Sequence, residues 1–91
     1  MTVYRFRNNM AALYETSESL PSIRKKAMAY LRESHEGYVF ISSKARDGGT
    51  TQYGMVRYID GRPYGYDRFI FVWSGAADKV IKRDGTLGRR L

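Results

Sequence analysis

The stretch Ser19 to Gly37, SLPSIRKKAMAYLRESHEG, is the clearest segment whose apolar residues recur at helical spacing, and it limits the chain to folds built around one long helix. Ser19 can accept a hydrogen bond from a first-turn amide, Pro21 fits a first turn, and Gly37 can adopt the left-handed backbone that follows a last turn. A helix over about 20–35 is expected. Ile23, Ala27, Tyr30, Leu31 and Ser34 fall on one stripe, with Ala27 allowing a close approach to a sheet. Arg24, Lys25 and Lys26 are expected on other sides, as a solvated face. Cations so early in a helix work slightly against its dipole.

The rest of the chain reads as strands and turns. TVYRFR (2–7) alternates with Tyr4 and Phe6 inward and Arg5 and Arg7 outward. Asn8, Asn9 and the Ser/Thr/Glu cluster after Tyr14 carry loop chemistry, so 8–19 is expected to be a connection with at most a short turn. YVFISSK (38–44) is apolar on both sides at its start, and QYGMVRYID (52–60) returns from an Asp47-Gly48 turn. DRFIFVWSG (67–75) is the central-strand candidate, with Phe69, Phe71 and Trp73 sharing a core side. A short strand, an Asp84-Gly85 turn and a frayed or edge-lying end at 84–91 complete the chain. The sum is a single α+β domain over 1–91, β-α-β-β-β-(β), with a mainly antiparallel sheet of four to five strands and the helix on one face. The opposite face must then be solvated, covered by a partner, or used.

Charge points toward a polyanion. Sixteen Lys and Arg against nine Asp and Glu give +7 and a pI near 9.9. Residues 1–36 carry +2 of this and residues 37–91 carry +5, and eleven of the sixteen cations are Arg. Arginine suits bidentate phosphate contacts and stacking on aromatic rings. The chain has no cysteine, which removes disulfides, thiol catalysis and thiolate zinc sites. No signal-like or membrane-spanning apolar run occurs, so the expected location is cytoplasmic, with no membrane partner.

RPYGYDRF (62–69) resembles the RNA-binding strand signature of RNA-recognition-motif domains, in which aromatic rings on a sheet face stack on unpaired bases. Arg62, Tyr64, Gly65, Tyr66 and Phe69 match that signature, whereas Pro63 replaces a glycine and Asp67 replaces a buried valine. The motif's β-α-β-β-α-β order also needs a second helix, and only 22 residues follow Phe69. The segment is therefore expected to be a turn entering the central strand, with Arg62, Tyr64, Tyr66 and Arg68 as an exposed cluster of cations and aromatics.

No nucleophile, metal or phosphate-loop motif stands out, and His35 near the helix C-terminus has no catalytic partner at telling spacing. In length, charge and strand content the chain resembles the small RelE/ParE-superfamily toxins. That resemblance implies metal-independent ribonuclease chemistry, with Arg57, Arg62, Tyr64, Arg68 and Lys82 stabilising phosphate charge and moving a proton. That superfamily usually has two helices, where one long helix is expected here.

The leading expectation is a non-enzymatic module without cofactor or metal. It would bind nucleic acid or another polyanion through Arg46, Arg57, Arg62, Tyr64, Tyr66 and Arg68 on the sheet and loop side of residues 44–68. A protein-interaction domain, such as an accessory protein of a phage or mobile element, is the alternative, and the toxin-like ribonuclease is the third reading.

Overall fold

The computed structural model describes residues 2–8, 13–34, 36–44, 49–59, 68–72 and 78–90. Seven strands and one helix follow one another as β1 (Tyr4–Arg7), β2 (Leu13–Ser17), α1 (Leu20–Ser34), β3 (Tyr38–Lys44), β4 (Thr50–Ile59), β5 (Arg68–Val72), β6 (Lys79–Ile81) and β7 (Leu87–Arg90). The strands form one antiparallel sheet in the order β2-β1-β3-β4-β5-β6-β7. The class is the expected α+β, but the sheet has seven strands instead of four or five.

One added strand is β2, in the segment expected to be a connection. Thr16 and Glu15 pair with Arg5 and Phe6 of β1, and Lys26 Nζ on the helix donates to the Thr16 carbonyl at 2.7 Å. The polar residues that read as a loop instead furnish an edge strand, where polar side chains discourage further pairing. The other addition is β7, the second arm of a hairpin whose turn holds Asp84 and Gly85. Thr86 donates to Asp84 Oδ1 from its amide at 3.0 Å and its hydroxyl at 2.6 Å, which holds the Asp84 carboxyl below its ordinary range.

The helix begins as its residues dictate: Ser22 N donates to Ser19 Oγ at 3.2 Å, and Ile23 N donates to the Ser19 carbonyl at 3.0 Å. It ends differently. Gly37 does not take the left-handed conformation, and its carbonyl accepts a hydrogen bond from Tyr58 N at 2.9 Å, extending the β3–β4 ladder by a residue. Ile23, Ala27, Met28 and Leu31 lie against Phe6, Val39, Ile41, Val56, Phe69, Phe71 and Ile81 in one core. Tyr30 is half-buried with its ring 5.4 Å from that of Phe6.

Arg24 departs from the solvated role expected of it. It is 7 % exposed, its guanidinium lies 4.7 Å from the Phe71 ring centroid, and Nη1 donates to the Gly85 carbonyl at 3.1 Å. Burial pushes the guanidinium below its ordinary pKa. Gly85 has a φ of 87°, and a Cβ there would collide with the Pro21 carbonyl, so the β6–β7 turn sits directly against the first helical turn. Two helical turns on, Arg32 lies 4.8 Å over the Phe69 ring. These two arginines cover the β5 aromatics beyond the reach of the aliphatic stripe.

A second glycine shapes the middle of the sheet. The β3–β4 register shifts between Ile41 and Ser42, where Gly54 pairs with Ile41 at a φ of 122°. A Cβ on Gly54 would stand 2.7 Å from Phe71 Cζ and from the Val72 carbonyl oxygen. Phe71 therefore packs over bare backbone.

Gly54→Ala must strain the backbone and displace Phe71, and urea denaturation should show a loss of roughly 2–4 kcal/mol. Arg24→Met keeps a cover over Phe71 but leaves the Gly85 carbonyl unpaired, and should cost about 1 kcal/mol, against roughly 3 kcal/mol for Arg24→Ala.

Candidate nucleic-acid interface

Side chains alternate across a sheet, so the residues between the core positions point away from the helix. Three rows run in register across that far face. The first joins Thr16, Arg5, Ser42 and Gln52. The second joins Arg7, Phe40, Met55 and Val72, and the third joins Tyr38, Arg57, Ile70 and Val80. Among the described residues, no helix or strand packs over these rows.

The far face is basic for a compositional reason. Glu15 is the one acidic residue in the seven strands, and it is paired with inward-facing Phe6 on the helix side. It lines a helix-side hollow with Phe6, Lys26, Ala29, Tyr30 and Glu33, where the charges are mixed. Arg5, Arg7 and Arg57 on the far face meet no strand carboxylate. Strand spacing puts the Arg7 backbone roughly 7 Å from that of Arg5 and roughly 12 Å from that of Arg57, near the Debye length of about 10 Å at 0.1 M salt, whereas Arg5 and Arg57, roughly 17 Å apart, are largely screened from each other.

Local contacts orient these groups. Arg5 Nε donates to the fully buried Ser42 hydroxyl at 3.4 Å, which holds the side chain against the sheet. Arg57 is exposed. Tyr38 is 38 % exposed, and its ring meets the half-buried Phe40 edge-on with centroids 5.4 Å apart. The pair gives the face an aromatic platform beside three cations.

Arg7, Phe40, Gln52, Gly54, Met55 and Val72 bound a hollow of about 300 Å³ in the same face. Arg7 Nε is buried and meets no hydrogen-bond partner among the described residues. Ile70, in the adjoining row, is 2 % exposed although it belongs to no helix-side cluster. The far face is thus closed to solvent at Ile70, as it is at Ser42.

Of the residues singled out from the sequence, Arg57 lies on this face, and Arg68 opens β5 in register with Ile59. Arg46, Arg62, Tyr64 and Tyr66 fall outside the described residues, as do His35 and Trp73. Phe69 and Phe71 are core, as expected. Sequence reasoning missed Arg5, Arg7, Tyr38 and Phe40 as site residues, although the alternation in TVYRFR had already set both arginines outward.

No three His, Cys, Asp or Glu side chains among the described residues are grouped to hold a metal ion, and no described helix is long and apolar enough to cross a membrane. No protein-family model, curated protein or solved structure matches the chain.

Proposed function

We propose that the protein is a binding module that holds single-stranded nucleic acid against the sheet face opposite its helix. The reading is carried by one observation: Arg5, Arg7 and Arg57 share with Tyr38 and Phe40 a face whose strands contribute no carboxylate. Arginines neutralise phosphates, and aromatic rings give unpaired bases a surface to stack on regardless of their sequence. The surrounding framework is an antiparallel sheet, whose register sets the spacing of these groups. Arg68, and Arg46, Arg62, Tyr64 and Tyr66 as singled out from the sequence, extend the same proposal toward residues 44–68.

A protein partner is the second reading, favoured by the partly buried Phe40, Met55, Ile59 and Val72 on this face. It predicts association that persists after nuclease treatment and is indifferent to moderate salt.

The nucleic-acid reading is tested by titrating a labelled single-stranded oligonucleotide by fluorescence anisotropy. With three arginines engaged, affinity should fall roughly tenfold to twentyfold between about 50 and 200 mM salt. Arg5→Gln or Arg57→Gln should flatten the logarithmic salt slope by about 0.7 each. Arg57→Gln should leave thermal stability within about 0.5 kcal/mol of the parent, because the side chain is exposed. Absence of salt-dependent binding near the lower salt concentration overturns the proposal.

A further inference from the structure

The hollow in the far face is bounded mainly by apolar groups. Its walls are Phe40, Met55 and Val72, and Gly54 contributes only backbone. Its polar side chains are those of Arg7 and Gln52. At about 300 Å³ it lies at the small end of ligand sites, large enough for one planar ring system and too small for a folded peptide element.

Arg7 makes the hollow more than a packing defect. A buried N–H without an acceptor is unfavourable, and native structures rarely keep one without a reason. Arg7 lines the hollow, and its Nε, itself closed to solvent, has no partner among the described residues. A guanidinium can only donate, so a ligand atom beside Arg7 must be an acceptor, carried on a flat and otherwise apolar group.

The surroundings narrow the class further. Arg5 lies two residues from Arg7 along β1, and Arg57 lies two residues from Met55 along β4. Both put a cation about 7 Å from the hollow's own row. A flat apolar group with a hydrogen-bond acceptor, joined to anions on either side, is a nucleotide within a strand.

Resting on the nucleic-acid reading, we propose that this hollow receives one unstacked nucleobase of the bound strand. The base lies against Phe40 between Met55 and Val72, and the Arg7 guanidinium donates to a base carbonyl oxygen. Arg5 and Arg57 hold the flanking phosphates. The site thereby favours bases that present a carbonyl, such as thymine or uracil, over a ring of the same shape without one.

Three single strands of equal length and charge separate base from backbone: oligo(dT), an abasic oligomer, and an oligomer of difluorotoluene nucleotides, which copy thymine's shape but replace its carbonyl oxygens. Binding is read by anisotropy at fixed salt. Oligo(dT) should bind about tenfold tighter than the abasic strand, reflecting a stacked and enclosed base. It should also bind about fivefold tighter than the difluorotoluene strand, reflecting the hydrogen bond. Arg7→Met should abolish the second difference while the variant retains its far-ultraviolet circular dichroism spectrum. Phe40→Leu, which keeps the wall apolar but removes the stacking ring, should reduce the first difference. If all three strands bind equally with the same salt slope, the base pocket is overturned while the phosphate-binding face stands. If none binds, both readings fall, and tighter binding to an acidic peptide than to any strand would transfer the face to a protein partner.

Discussion

A single helix about 10 Å across cannot cover a seven-stranded sheet, whose strand spacing makes it roughly 29 Å wide. Every other feature of the fold answers to that mismatch. The aliphatic stripe of Ile23, Ala27, Met28 and Leu31 builds the central core on one face. Beyond it, Arg24 and Arg32 lean over Phe71 and Phe69, and the β6–β7 turn closes against Pro21. On the other face no described helix or strand packs over the sheet; Ile70 and Ser42 are buried there, and half-buried Phe40, Met55 and Val72 lie beside the arginines.

Arginine consequently has two roles that depend on which face it meets. Arg24 is buried over an aromatic ring and anchored to a backbone carbonyl, so its charge is largely withdrawn from any partner. Arg5, Arg7 and Arg57 stand on the far face, where the strands supply no counter-charge. Net charge alone does not distinguish these roles. The +7 of the chain becomes informative only when the residues that serve the core are separated from those that do not.

The helix was legible because its periodicity and Ser19 cap are local signals, and Leu20–Ser34 falls within the expected span. Phe69 and Phe71 were legible as core because β5 is apolar on both faces. β2 was hidden: an edge strand of five residues with Glu15, Thr16 and Ser17 has no apolar alternation to display, and its pairing with β1 is decided by tertiary contact. Arg24 was hidden by its charge, although Leu20, Arg24, Ala27 and Leu31 share the spacing of one helical face. The far-face site was half legible. Arg5 and Arg7 could be turned outward from six residues, but their meeting with Phe40, Met55 and Arg57 depends on the β1-β3-β4 order, which no local pattern encodes.

A bound polyanionic strand, as proposed, lies on the face away from the helix. Titration of isotope-labelled protein with a spin-labelled oligonucleotide reports proximity to each amide directly. Broadening concentrated at Arg5, Arg7, Tyr38, Phe40, Met55 and Arg57, with Lys25, Ala29 and Glu33 of the helix remaining sharp, is the predicted result. Broadening concentrated on the helix, or spread evenly over both faces, would contradict it.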